Sequence, residues 1–369
     1  MQKVYISACG GTDFDTKDRP IDAVLSEAVH NLLWNNPDID RDVIDGLLVS
    51  TNDSHGYLTA ILAQRYGIRP RVAHSIENIC VSGSNAIITA ASFVMAGLAK
   101  AILVVGGDRM AQHAISEWIR WDTARGQFQS SYYWASIITS AYKKRFGVTS
   151  EDLAATPAKN HRNAQDNPHA YSKQAYSISD VLCSRRITDD LRLLDCSRLC
   201  TGASAVLVTD GTVHGLPDSI ELAGMGMRTD AASFGAGGSY HTMPTVESSA
   251  EEAYKAAGVK PSDIDIAEIH DAFSVCEPMI LESLGMADTG RGASLVQDHY
   301  AAKDRSINPR GGIIAAGHPP GATGVAQVAE IFTQLQSRAG KRQIRGAKTG
   351  LVQNMAAAAK SSSIIIMKA

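Results

Sequence analysis

Three stretches of this sequence place reactive side chains in constrained backbone. In Glu77-Asn78-Ile79-Cys80-Val81-Ser82-Gly83-Ser84, a cysteine sits in a turn that leads into a long apolar segment. A cysteine at the start of a helix faces unpaired N–H groups and the positive end of the helix dipole, and both favour the thiolate. Gly83 permits a tight turn that presents the sulfur, as nucleophile elbows do. The competing assignment for Cys80 is a packed structural thiol. Residues 308–324, ending Gly317-His318-Pro319-Pro320-Gly321-Ala322-Thr323-Gly324, hold a histidine in a loop dense in glycine and proline. A histidine there keeps a fixed orientation and is placed to act as a base, whereas most lone histidines are satisfied core or surface groups. Glu268-Ile269-His270-Asp271-Ala272-Phe273 puts a polar pair at the end of an apolar strand, where α/β folds collect their sites.

The six cysteines, at positions 9, 80, 183, 196, 200 and 276, are too sparse for a disulfide scaffold and fit a reducing, cytoplasmic setting. Cys183, Cys196 and Cys200 with His161 lack the close Cys-x2-Cys pairs of structural zinc sites, so no metal is expected. Cys9 ends the first strand and reads as core. The Gly235-Ala236-Gly237-Gly238-Ser239 loop admits a pantetheine or nucleotide, or is simply a turn. Dinucleotide and P-loop patterns are absent.

The elements that must position these groups follow from hydrophobic periodicity. It predicts strands over residues 4–8, 43–50, 72–79 and 101–105, and helices over 23–34, 58–66 and 84–98. Residues 101–105 are apolar throughout, as in a strand buried on both faces. Strand–helix alternation of this kind gives an α/β fold. Residues 36–50 and 259–273 each follow a helix and read as a proline-containing turn, an Asp-Ile-Asp step and a strand. Each half also carries a glycine-rich turn before a helix, at 80–84 and 317–324, which points to a duplicated architecture. Between the halves the pattern breaks. Trp118, Trp121, Tyr132, Tyr133 and Trp134 cluster there with Arg120, Arg125, Lys143, Lys144 and Arg145, followed by His161, Arg162, Arg185 and Arg186. This segment is either a binding excursion or a solvated helical lid. The expected division is a first half over 1–110 plus 191–213, an inserted loop domain over 111–190, and a second half over 214–369.

The 369 residues correspond to two or three units of about 150. With 44% apolar and 20% charged residues the chain is an ordinary folded globule. Lys plus Arg number 35 against 38 Asp plus Glu, a net charge of −3, which argues against a nucleic-acid surface. Apolar runs break well short of the roughly 20 residues of a membrane span, and the N-terminus is expected to carry no signal-peptide core.

Cys80 in its Ser-Gly-Ser turn, His270-Asp271-Ala272-Phe273 and residues 317–324 resemble the thiolase superfamily. More narrowly they resemble its sterol-carrier-protein-linked and archaeal branch, where His-Asp-x-Phe replaces Asn-Glu-x-Phe. The resemblance runs in order along the whole chain and takes in Asn160-His161 and Leu193-Leu194-Asp195-Cys196. It implies duplicated βαβαβαββ halves packed as five α-β-α-β-α layers. It also implies Cys80 as the nucleophile that carries the acyl group, His318 as the base that activates it, and His270 as a lining of the oxyanion site. Gly321 and the Ala356 N–H belong to the loops around that site. A thiolate is both a good nucleophile and a good leaving group, so acyl groups can pass between Cys80 and coenzyme A with little drop in free energy.

One departure matters. Common thiolases carry a second cysteine in a C-terminal Cys-x-Gly turn, which shuttles the substrate's α-carbon proton. Here Asn354 stands in its place, and alanines replace the glycines. The branch's alternative cysteine, inside His-Asp-x-Phe, is Ala272. Cys276 is the nearby thiol left for the role, and His270 or His318 is the preferred substitute. The resemblance implies thiolytic cleavage of a 3-oxoacyl-CoA by coenzyme A, or the reverse condensation, in lipid or aromatic catabolism. Coenzyme A is a co-substrate and nothing is bound permanently. The alternatives are acyl transfer or retro-aldol cleavage of CoA esters, or a non-catalytic acyl-CoA-binding subunit. A homodimer or tetramer is implied, with a small zinc-ribbon/OB-fold partner possible and neither nucleic acid nor membrane.

Overall fold

The structure, a computed structural model, describes residues 2–110, 130–213, 216, 219–235 and 239–369. Trp118, Arg120, Trp121 and Arg125 lie outside the described residues. In the first half β1 (Tyr5–Gly11), α1 (Ile21–Asn35), β2 (Gly46–Ser50), α2 (Leu58–Tyr66), β3 (Val72–Ile76), α3 (Ser82–Met95) and β4 (Ala101–Asp108) follow one another. Helices α4 (Ser131–Phe146), α5 (Ser150–Ala164) and α6 (Ile178–Cys183) intervene before β5 (Gly202–Thr209). The second half runs β6 (Ile220–Thr229), α7 (Pro244–Ala257), β7 (Ile266–Glu268), α8 (Cys276–Ser283), α9 (Gly292–Ala302) and α10 (Gly312–Ala316). It ends with α11 (Pro320–Leu335), β8 (Thr349–Ala356) and β9 (Ser361–Lys368).

The strands form a sheet of order β3-β2-β4-β5-β1-β6-β9-β8-β7. β2 and β4 pair in parallel, as do β7 and β8, while β4–β5 and β8–β9 are antiparallel. The duplication read from the sequence is therefore visible in the topology, and the halves join through Tyr5–Glu221 and Ile6–Ile220. Strand alternation sorts side chains into layers. Ala101, Leu103 and Val105 of β4 pack with α1 and α2, while Ile102 and Val104 pack with α3 and α11. β9 repeats this: Ile364 and Ile366 pack with α7 and α8, and Ile365 and Met367 with α3 and α11. The result is the expected five layers, with α3 and α11 in the middle.

Local hydrogen bonds explain where boundaries differ from periodicity. β2 begins at Gly46 rather than 43 because the Asp40 side chain accepts from Asp42 N and holds Arg41–Val43 in a 3-10 turn. Asp263 does the same for Pro261–Asp263 before β7, accepting from Lys260 N at 2.8 Å. β3 stops at Ile76, since Glu77 accepts from Ile79 N at 2.8 Å and turns the chain. Cys196 follows the 3-10 turn Leu193–Asp195 and makes an isolated bridge to Phe273. The helices between β4 and β5 reach across the halves, with α5 packed on α9 and α10.

Candidate active site

Cys80 sits on the 3-10 turn Ile79–Val81, immediately ahead of α3. Ile79 adopts φ +51°, a left-handed conformation that a β-branched residue holds at a cost of about 1–3 kcal/mol. Several bonds impose it. Ser82 Oγ donates to Ile79 O (2.6 Å) and accepts from Asn78 N (2.7 Å), while Asn52 Nδ2 also donates to Ile79 O (3.3 Å). The strained residue and its staples form an elbow that projects the next side chain, Cys80, into a cavity.

His318 reaches the same cavity from the turn before α11. Its backbone N–H donates to Arg198 O at 2.8 Å. Its Nδ1 lies 2.9 Å from Thr323 Oγ1, whose own proton goes to Pro319 O at 2.9 Å. With the one Thr323 proton spent on Pro319 O, His318 Nδ1–H is the donor and Nε2 keeps a free lone pair. The starts of α3 and α11 touch through glycine. A Cβ on Gly83 would stand 2.9 Å from Gly321 O, and one on Gly324 would stand 2.4 Å from Ser84 N.

Asp108, at the end of β4, ties the two loops together. Its carboxylate accepts from Thr51 Oγ1 (2.9 Å), Asn52 N (2.7 Å), Asn52 Nδ2 (3.1 Å) and Gly321 N (2.6 Å). Asn52 in turn holds Ile79, so one buried carboxylate anchors both the nucleophile's elbow and the base's helix. Burial raises the Asp108 pKa despite these four donors.

His270 follows β7 by two residues. Its backbone N–H donates to Gln353 Oε1 at 2.9 Å, and its Nδ1 lies 3.0 Å from Asn354 Nδ2. Behind it, Asp271 accepts from Asn160 Nδ2 and Ile313 N, both at 2.6 Å, next to the buried Lys159–Glu277 ion pair at 2.9 Å. The rings of His270 and His318 meet edge to face, with centroids 5.2 Å apart.

Cys80, His270 and His318 each bring a reactive atom to within 4.8 Å of the others. All three line one cavity of about 170 Å3 with Tyr132, Trp134, Ile138, Met243, Phe273 and Cys276. The expectation of a depressed thiol pKa is reversed. Burial, Asp108 and Glu77 push the Cys80 thiol up to about 12. Burial, helped by Arg310, holds His318 down at about 3, and burial with His318 nearby keeps His270 well below its usual value. The resting site thus holds a neutral thiol beside two neutral imidazoles.

The remaining sequence candidates fall into two groups. Ala356 and Cys276 line the cavity, the latter with burial pushing its thiol up to about 12. Ala357, Ala358 and Ala359, the alanines that follow Ala356, all take positive φ of 54–62°. Gly321 is not part of the cavity wall; its N–H is committed to Asp108, and its missing Cβ lets α11 approach Ser50 O. Cys200 packs under Gly317, and Cys9 contacts Thr333 Oγ1 at 3.7 Å. Among the described residues the one trio of such side chains at metal-ligand spacing is Cys80, His270 and His318, so Cys183, Cys196, Cys200 and His161 do not converge.

The thiolase N-terminal domain family matches residues 4–176, and the thiolase C-terminal domain-like family matches residues 228–369. The chain belongs to the thiolase superfamily. Acetyl-CoA acetyltransferase of Methanothermobacter thermautotrophicus is 28% identical over 372 residues, covering 96% of this chain and 94% of that protein. Sterol carrier protein 2 of Bos taurus is 34% identical over 305 residues; the match takes in 76% of this chain but 56% of that relative, about half its length. Among solved structures, the Ltp2-ChsH2(DUF35) aldolase shares the fold at TM-score 0.87 and 21% identity, over 100% of this chain and 98% of that one.

In this thiolase site, sequence reasoning missed Asp108, Thr323 and the part played by Asn354. Asp108 had a signal: it closes a wholly apolar strand after Gly106-Gly107, at a strand's C-terminal end. Thr323 had none, and Asn354 was marked only as the missing thiol, because their effect depends on which hydrogens their neighbours spend.

Proposed function

We propose that this protein is a thiolase-type acyltransferase that cleaves a 3-oxoacyl-CoA with coenzyme A, or runs the reverse condensation, through an acyl-Cys80 thioester. The observation that carries this reading is the meeting of the Cys80, His318 and His270 reactive atoms within 4.8 Å in one apolar cavity. Cys80 gives its proton to His318 Nε2 as its sulfur bonds to C3 of the substrate. His270 donates to the oxyanion that forms there. When the C=O re-forms, the C2–C3 bond breaks, its electron pair stays on C2, and a histidine protonates that carbon. The CoA thiol then attacks acyl-Cys80, and the Cys80 sulfur leaves with the proton returned to it. No resident cofactor enters this scheme. We assign acyl-chain selection to the inserted segment, whose Tyr132, Trp134 and Ile138 wall the cavity.

The test is CoA-dependent consumption of a 3-oxoacyl-CoA by purified protein, lost in Cys80→Ala. Repeated turnover in the absence of CoA, beyond one cleavage per chain, would exclude thiolysis. A second reading, retro-aldol cleavage of a 3-hydroxyacyl-CoA, is favoured by Asn354 and Ala272 standing where thiols would be, and by the aldolase name of one protein with this fold. CoA-independent cleavage of that substrate identifies it. The name of that aldolase includes a second component, ChsH2(DUF35), which supports our expectation of a partner protein. We further propose a homodimer or tetramer in the cytoplasm. Among the described residues, no helix is long and apolar enough to cross a membrane.

A further inference from the structure

His270 and His318 are both candidates to carry the proton for C2, and the hydrogen bonds behind them are not equivalent. Gln327 Nε2 donates to Gln353 O at 3.3 Å, which turns Gln327 Oε1 toward Asn354. A carbonyl oxygen accepts only, so Asn354 must present its NH2 to Gln327 Oε1, at 3.0 Å. The Asn354 carbonyl then faces Ser84 Oγ at 3.2 Å, whose one proton it shares with Val81 O at 3.1 Å. The second hydrogen of the same NH2 group points to His270 Nδ1, at 3.0 Å. A nitrogen that accepts a hydrogen bond holds no proton, so in neutral His270 the proton sits on Nε2. Asn354 is fully buried and outside the cavity wall, which leaves Nε2 as the nitrogen free to serve the cavity.

We propose that Asn354 is a positioning residue that locks His270 as the Nε2–H tautomer, making His270 a donor only and His318 the sole proton carrier of both half-reactions. Two backbone carbonyls set this asymmetry. Gln353 O fixes Gln327, then Asn354, then His270 as donor; Pro319 O fixes Thr323, then His318 as acceptor. For His270 to take a proton on Nε2 it must first lose Nδ1 as an acceptor or become an imidazolium facing the Asn354 NH2, and both break the chain. The proton balance closes on His318 alone. In the first half-reaction Nε2 takes the Cys80 thiol proton and delivers it to C2 of the leaving enolate. In the second it takes the CoA thiol proton and returns it to the Cys80 sulfur. The polar group at position 354 thus does not replace a second thiol; it removes His270 from proton transfer.

The proposal rests on the acyl-transfer reading for its function but not for its test. In 15N-labelled full-length protein near pH 7, with His270 assigned by its loss in His270→Gln, the expected spectrum shows an unprotonated, pyridine-like Nδ1 and a protonated, pyrrole-like Nε2. Asn354→Asp presents an acceptor instead, and the expected result is the reverse: Nδ1 protonated and Nε2 without its proton. A wild-type His270 with protonated Nδ1 overturns the lock whether or not the variant folds. A folded Asn354→Asp protein that keeps the wild-type His270 tautomer overturns it as well. An inactive wild-type protein with the expected tautomer would count against the acyl-transfer reading and leave the lock standing.

Discussion

Gly324 lies so close to Ser84 that a Cβ at 324 would stand 2.4 Å from the Ser84 nitrogen. Residues far apart in sequence, Cys80 and His318, meet because these two helix starts meet without side chains between them. Gly324→Ala sets two effects against each other. The extra methyl favours a helix interior by about 1 kcal/mol, and overpacking costs about 1–3 kcal/mol. Backbone opposes this methyl rather than a flexible side chain, so overpacking wins. Urea denaturation is expected to show net destabilisation of the variant, accompanied by loss of acyl transfer. A stabilised, fully active variant would refute the close approach.

Asp108→Asn replaces one of two acceptor oxygens with a donor that faces Gly321 N or the Asn52 and Thr51 donors. Asp108 reaches no substrate atom, so the expected defect comes from small displacements of Cys80 and His318. A shift of about 1 Å in reacting groups costs roughly 10²-fold in rate. Steady-state kinetics should show kcat lowered by about that factor with KM little changed. An effect confined to KM contradicts the role.

How readily Cys80 is alkylated reports its resting state. A thiol pushed up to about 12 exposes ten times more thiolate for each pH unit gained below that value. Iodoacetamide inactivation of the free enzyme should therefore accelerate about tenfold per unit from pH 7 upward. A rate already level at pH 7 would mean a preformed thiolate–imidazolium pair.

His161 tests how buried histidines shape acid stability. It lies outside the cavity wall, holds Gln174 O at 3.1 Å, and is kept neutral by burial down to about pH 4. Its folded pKa lies below the unfolded value of 6.5, so its contribution is intact above 6.5 and fades as pH falls toward 4. The stability gap between wild type and His161→Gln should close by about 1.4 kcal/mol per pH unit across that window. Parallel stability curves would rule this out.

Much of this architecture was legible in the sequence. The all-apolar run at 101–105 indicated a strand buried on both faces, and the paired Asp-Ile-Asp turns indicated the duplication. Cys80, His270 and His318 stood out because glycine, proline and strand ends constrain their backbone. The thiol's acidity was misjudged because the helix dipole can be read from sequence, whereas the burial and the Asp108 and Glu77 charges that oppose it depend on the fold. The histidine tautomers were out of reach for a similar reason. They follow from hydrogen-bond chains that end on the carbonyls of Pro319 and Gln353, and backbone carbonyls leave no mark in a sequence.

The most direct measurement of the central claim is the intact mass of the protein after brief exposure to a 3-oxoacyl-CoA without free coenzyme A. The account predicts one acyl group per chain, mapped by peptide analysis to Cys80, discharged by added coenzyme A and absent in Cys80→Ala. Substrate cleavage with the protein's mass unchanged, or an acyl group on Cys276 instead, would contradict it.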